Sequence, residues 1–218
     1  MSDKVLFITI GTGRATELEE SLYQPILTSI ATDDWSQVKL LPSRETITHA
    51  GTIRDRVSDI PVEVHPLPVA KAENDPDACF EHFDRMIADT LAAGYRQADC
   101  VADITRGTKA MSAALALAAV RHDVPILRYL SGIRDAAAQG TVLAGSEEIV
   151  NARTQMVTTS RRLDAARGLF ERGNFSAVGA LLDQGGSQAI PDSLRSQINA
   201  VKTVADFCAA WDRLDYVS

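Results

Sequence analysis

The sequence predicts an α/β fold: a doubly wound, mostly parallel sheet with a terminal β-hairpin, followed by a small all-helical appendage. Three observations carry this. Short apolar runs alternate with stretches of helical periodicity over the first two thirds of the chain, the pattern of parallel strands joined by crossover helices. Two of these runs end in glycine- and threonine-rich loops, Gly11-Thr12-Gly13 and Thr105-Arg106-Gly107-Thr108-Lys109. From Ser160 onward the composition changes to helix signal alone. The expected division is an α/β domain over residues 1–155 and a helical connector over 156–218.

Lys4 to Ile10 is a β-rich apolar run ended by Gly11-Thr12-Gly13, as a central parallel strand feeding a helix would be. Glu17, Glu19 and Glu20 favour the first turns of the next helix, which carries Leu18, Leu22, Ile26 and Ile30 and is expected to kink at Pro25. Val38 to Leu41 is the second strand, with its loop at Pro42 to Thr46. Arg44 and His49 match the Arg-x4–6-His spacing of HEPN ribonucleases, but that pair needs a helical bundle and Arg44 directly follows a strand. The match is a chance one; Arg44 is instead a candidate ligand contact and His49 a surface helix residue. Pro61 to Leu67 alternates like a half-buried strand nearer the sheet edge, and Lys71 to Pro76 is a polar connector. Phe80, Phe83, Ile87 and Leu91 recur at helical spacing up to Gly94, with His82 read as a solvated side chain.

Asp99 to Ile104 is the fourth strand, and Ala110 to Val120 is a helix apolar on nearly every face, with Met111 in the core. Pro125 to Leu130 is the fifth strand. Thr141–Ala144 and Glu148–Val150 are expected to pair about Gly145-Ser146 as the terminal hairpin. Three helical runs then follow, broken at Gly173-Asn174 and Gly185-Gly186, ending in a segment with Trp211 and Tyr216.

The loop at residues 105–109 has the chemistry of an anion site. A helix that starts directly after a strand leaves its first N–H groups unpaired and pointing out of the sheet. Thr105 or Thr108 can cap that helix, Gly107 lets the backbone approach a ligand, and Arg106 and Lys109 add positive charge at the positive end of the dipole. Alone, the same residues also fit an ordinary turn with a threonine cap and two solvated basic side chains. The common doubly wound order, however, sets the first strand beside the fourth, so that the loops at Gly11–Gly13 and Thr105–Lys109 meet at the switch point where such folds bind ligands.

Asp103-Ile104-Thr105-Arg106-Gly107-Thr108-Lys109-Ala110-Met111 resembles the Asp-x-Thr-Gly-Gly-Thr-Lys-x-Met signature of CARF domains, the Rossmann-like sensors of type III CRISPR systems found in Csm/Csx-type proteins. Arg106 stands where that pattern usually has glycine. Gly11-Thr12-Gly13 is similar to the first ligand loop of the same family. The resemblance implies a ligand, cyclic tetra- or hexa-adenylate, bound across a homodimer whose two-fold axis matches that of the ring. On this reading Gly11, Thr12, Gly13, Arg44, Thr105, Arg106, Gly107, Thr108 and Lys109 form the ligand site. It also implies antiviral second-messenger sensing, relayed to an effector domain or subunit through residues 160–218. A ring nuclease is the alternative: a ribose 2′-OH attacks the neighbouring phosphate, with Thr12, Arg106 and Lys109 as the catalytic set and no metal. A further alternative is an NADP-type dinucleotide-binding protein, although Gly11-Thr12-Gly13-Arg14-Ala15-Thr16 lacks the third glycine of G-x-G-x-x-G.

Composition narrows the partners. A formal charge of −7 with a pI near 5.1 argues against binding duplex DNA, which rests on displacing counterions with Lys and Arg. Residues 160–218 hold as many acidic as basic side chains, and so lack the basic recognition helix of a DNA-binding appendage. The three cysteines are widely spaced and without a CxxC pair, as expected of reduced thiols rather than a disulfide frame or zinc site. No cofactor or metal is expected. With no signal-peptide pattern and no apolar run long enough to span a bilayer, a soluble cytoplasmic protein without membrane partners is expected.

Overall fold

A computed structural model describes residues 3–13, 16–132, 134–135, 141–142, 148–183 and 190–215. Residues 1–153 and 154–218 form two compact units. The first is built on a six-stranded sheet in the order β3-β2-β1-β4-β5-β8. Its strands are β1 (Val5–Ile10), β2 (Gln37–Pro42), β3 (Val62–Val64), β4 (Cys100–Asp103), β5 (Ile126–Ser131) and β8 (Glu148–Arg153). All neighbours are parallel except β8, which runs antiparallel to β5. The crossover helices are α1 (Gln24–Ala31), α2 (Ile47–Arg56), α3 (Pro76–Ala92) and α4 (Lys109–Arg121).

Strand β1 is buried along its whole length, which explains why its sequence is apolar except at Thr9. Its residues alternate between two cores. Val5 and Phe7 face a layer with Phe83, Ile87, Leu115 and Ala118, while Leu6, Ile8 and Ile10 face Leu22, Ile26, Ala50 and Ile53. Period-two alternation in a strand covered on both faces thus sorts one short segment into two hydrophobic layers.

Three local expectations are corrected. Residues Glu19–Tyr23 form a π-helical turn, closed by Gln24 N–H donating to the Glu19 carbonyl, and α1 begins immediately after it with Pro25 in its first turn. The change of helix type puts proline where its missing N–H costs least, in place of a kink inside one helix. His82 is half-buried and its Nε2 lies 3.2 Å from the His65 carbonyl oxygen, so it is not a solvated side chain. Burial holds its pKa below the ordinary value, although the bond to His65 works the other way. The terminal hairpin is present but its arms differ: β5 pairs with β8, register Ile126 to Arg153, and further out β6 (Arg134–Asp135) pairs with β7 (Thr141–Val142). The expected turn at Gly145-Ser146 lies outside the described residues, as do Arg14-Ala15, Gly185-Gly186 and Tyr216.

The second unit consists of α5 (Gln155–Glu171), α6 (Phe175–Asp183) and α7 (Asp192–Asp215) around a small core of Leu163, Ala166, Val178, Leu182, Ile198 and Ala205. Phe207 and Trp211 on α7 remain exposed, their rings 6.3 Å apart. No helix among the described residues is long and apolar enough to cross a membrane.

Candidate functional site

The loops after β1 and β4 meet backbone to backbone at the switch point. A Cβ on Gly11 would fall 2.9 Å from Gly107 N, so neither loop has room for a side chain at the crossing. Gly107 has φ of +134°, and a Cβ there would lie 2.9 Å from Thr9 Oγ1. Two independent constraints, the dihedral and the contact, therefore demand glycine at this position. The buried Thr9 hydroxyl donates to the Arg106 carbonyl and ties the second loop to β1. Gly13, φ +65°, sits against Leu22 of the π-helical turn, so the unusual helix start backs the first loop.

The second loop is fixed from beneath. Asp103 Oδ1 accepts from Thr105 N at 2.8 Å, and the Ser29 hydroxyl donates to Oδ2. Burial pushes the Asp103 carboxyl above the ordinary range, opposed by the bonds from Ser29 and Thr105 and by the nearby charge of Arg128. The Thr105 hydroxyl accepts from Leu130 N at 2.9 Å, which joins the loop to β5. Thr108 caps α4, its Oγ1 accepting from Met111 N at 3.2 Å and donating its proton to the Glu73 carbonyl. Thr108 therefore works as a positioning residue: its one proton is already committed.

Between the loops lies a cavity of about 310 Å³. Gly11, Thr12, Gly13, Thr105, Arg106, Gly107 and Thr108 all line it, so seven of the nine expected ligand residues are brought together. Arg44 and Lys109 are not among the lining residues. Arg44 is turned toward the end of β3, donating to the carbonyls of Leu67 at 3.2 Å and Pro68 at 2.7 Å. Lys109 begins α4 with its side chain exposed. Thr12 is exposed at the cavity.

The lining also holds polar residues outside the expected ligand set, among them Ser43, Thr46 and Glu73. Thr46 Oγ1 accepts from Ser43 N and donates to the Ile10 carbonyl, both at 2.9 Å, so the β2 loop is stitched to the end of β1. The Ser-x-x-Thr spacing after β2 was the available signal for this pair. Glu73 lies in a short 3₁₀ turn, Ala72–Asn74, within the stretch read as a polar connector, and carries no such signal. Among the described residues no group of three or more His, Cys, Asp or Glu side chains is placed to hold a metal ion.

No family model matches the sequence, and no curated relative does. Among solved structures, Csm6 of Enterococcus italicus, bound to cyclic hexa-2′-fluoro-hexa-dAMP, matches over 100% of this chain and 57% of its own. The TM-score is 0.68 and the sequence identity 13%. The chain has a Csm6-like fold. It spans 57% of the length of that Csm6 chain. Can2 from Sulfobacillus thermosulfidooxidans, in complex with cyclic tetra-adenylate, matches over 94% of this chain and 63% of its own, with a TM-score of 0.45 and 12% identity. At such identities the likeness to Csm6 is one of fold, and the site is argued from this chain's own residues.

Proposed function

We propose that the cavity binds cyclic oligoadenylate, as a sensor module of type III CRISPR defence. One observation carries the reading: the two loops that resemble CARF ligand loops, far apart in sequence, close on one cavity through the Gly11–Gly107 contact. That the solved Csm6 of like fold holds a cyclic hexanucleotide analogue supports the same ligand class here. The backbone N–H groups of the Gly11–Gly13 loop and of the first turn of α4 supply donors suited to phosphate, and Arg106 in the wall adds positive charge. A cavity of about 310 Å³ is too small for a whole ring. A cyclic tetra- or hexa-adenylate therefore calls for two such cavities related by a two-fold axis, and we infer that the working unit is a homodimer. The helical segment over 156–218, with Phe207 and Trp211 exposed, would carry the change to an effector domain or subunit.

Ring cleavage is the second reading, favoured by the presence of Thr12 and Arg106 in one cavity. In that reaction the 2′-oxygen bonds to phosphorus, the 5′-oxygen leaves with a proton, and a 2′,3′-cyclic phosphate remains. In-line geometry and donors to the developing charge supply most of what it needs. The test is calorimetric titration of the purified chain with cyclic tetra- and hexa-adenylate separately, followed by chromatography of the nucleotide over hours. Binding with an intact ring is the expected result; linear products would establish the nuclease, and failure to bind either ring would overturn the proposal.

A further inference from the structure

Two carboxylates line the cavity, Glu45, which is exposed, and Glu73, which is buried; the buried one does not suit a phosphate site. Glu73 lines it and is only 8% exposed, yet its Oε2 is closed off from solvent and accepts no hydrogen bond among the described residues. Neither Thr108 nor the start of α3 satisfies it. Thr108 donates to the Glu73 carbonyl rather than to its carboxylate, and the first N–H groups of α3 are taken by Asp75, which accepts from Asp77 N at 3.0 Å and Ala78 N at 3.2 Å. Burying a carboxylate oxygen without a donor is costly. A phosphate beside it would add like-charge repulsion.

Resting on the reading of this cavity as a nucleotide site, we propose that Glu73 is a specificity-determining residue that accepts a hydrogen bond from a neutral donor of the bound nucleotide. Two groups of an adenosine nucleotide have that chemistry, the exocyclic amine of adenine and the ribose 2′-hydroxyl. Glu73 sets the ligand's orientation as well. Phosphate is turned away from the wall at residues 72–74 and toward the N–H groups of the Gly11–Gly13 and Thr105–Thr108 loops, which the Thr108-to-Glu73 carbonyl bond holds beside it.

The experiment is calorimetric titration of the full chain with cyclic hexa-adenylate, with the ring whose adenines are replaced by unsubstituted purine, and with the 2′-fluoro ring. The first altered ring removes the amine and the second the hydroxyl proton. One of them is expected to bind about tenfold to a hundredfold more weakly than the parent, the usual worth of a hydrogen bond to a charged acceptor, and which one identifies the donor. In Glu73→Leu the parent ring falls to the altered ring's affinity, whereas Glu73→Gln, which keeps an acceptor, retains part of the preference. Without ligand, Glu73→Leu is expected to melt no lower than the wild type, because it removes an unsatisfied group. If the wild type binds all three rings alike, or Glu73→Leu discriminates as strongly as wild type, the assignment of Glu73 is overturned while the cavity reading stands. If the wild type binds no ring, both fall. Should Glu73→Leu fail to fold, the near-isosteric Glu73→Gln carries the test: a preference between the rings unchanged from wild type overturns the assignment.

Discussion

At the scale of single residues, Gly107 is the least replaceable position in the site. Gly107→Ala puts a methyl group 2.9 Å from Thr9 Oγ1 at a φ of +134°, and is expected to lower stability by about 3 kcal/mol, read by urea denaturation. Because the same change forces the second loop away from Gly11, ligand affinity should fall with it. Lys109→Ala should do far less. Its side chain is exposed and outside the cavity, so a contribution of at most about 1 kcal/mol, or roughly fivefold in affinity by calorimetry, is expected. The contrast shows what the sequence could and could not say. Motif residues that act through the backbone, such as Gly11 and Gly107, were legible because glycine and its spacing report directly on the main chain. Arg44 and Lys109 were not, because a long basic side chain can turn either way. The carbonyls of Leu67 and Pro68 decide that for Arg44 at distances no local pattern encodes.

At the scale of elements, a buried charged network fixes α1 against β4 and β5, and so supports the second loop from below. Arg128 of β5, 3% exposed, donates to the Ser29 carbonyl, to Thr32 Oγ1 at 2.9 Å, to Asp33 Oδ2 at 2.7 Å and to Asn151 Oδ1 of β8. Its guanidinium also lies 5.1 Å from the centre of the Trp35 ring. Burial works to raise the Asp33 carboxyl, but hydrogen bonds and charge from Lys4 and Arg128 outweigh it and hold the pKa below the ordinary 3.8. The unfolded chain therefore binds this proton more readily than the folded one. The stabilisation is full above the ordinary value and is lost as pH falls through the folded one. Asp33→Asn is accordingly expected to flatten the fall in stability on acidification below about pH 5, measured by chemical denaturation across that range. None of this network was visible in the sequence, since Ser29, Asp33, Asp103 and Arg128 come from separate elements. The π-helical start of α1 was hidden for a similar reason: Pro25 marks an irregularity but does not say which one.

At the scale of the whole molecule, the strand order was readable because it follows from alternation and from the handedness of crossover connections, which leave few topologies for such a chain. The position of β1 beside β4 follows, and with it the meeting of the two loops. The arms of the final hairpin were not readable. Alternation marks a segment as a strand but does not name its partner, and register along a hairpin is set by its turn. The two units differ in the same way: the α/β unit is specified by strands buried on both faces, whereas α5 to α7 enclose only a small core and leave Phe207 and Trp211 to solvent.

On the proposed function, one ligand is held jointly by two loops that only the fold brings together. Amide hydrogen exchange on the full chain, with and without cyclic hexa-adenylate, tests it most directly. Slowed exchange is expected in peptides covering residues 10–13 and 104–112 together, at the same ligand concentration. Protection confined to one loop, or found only outside both, would contradict it.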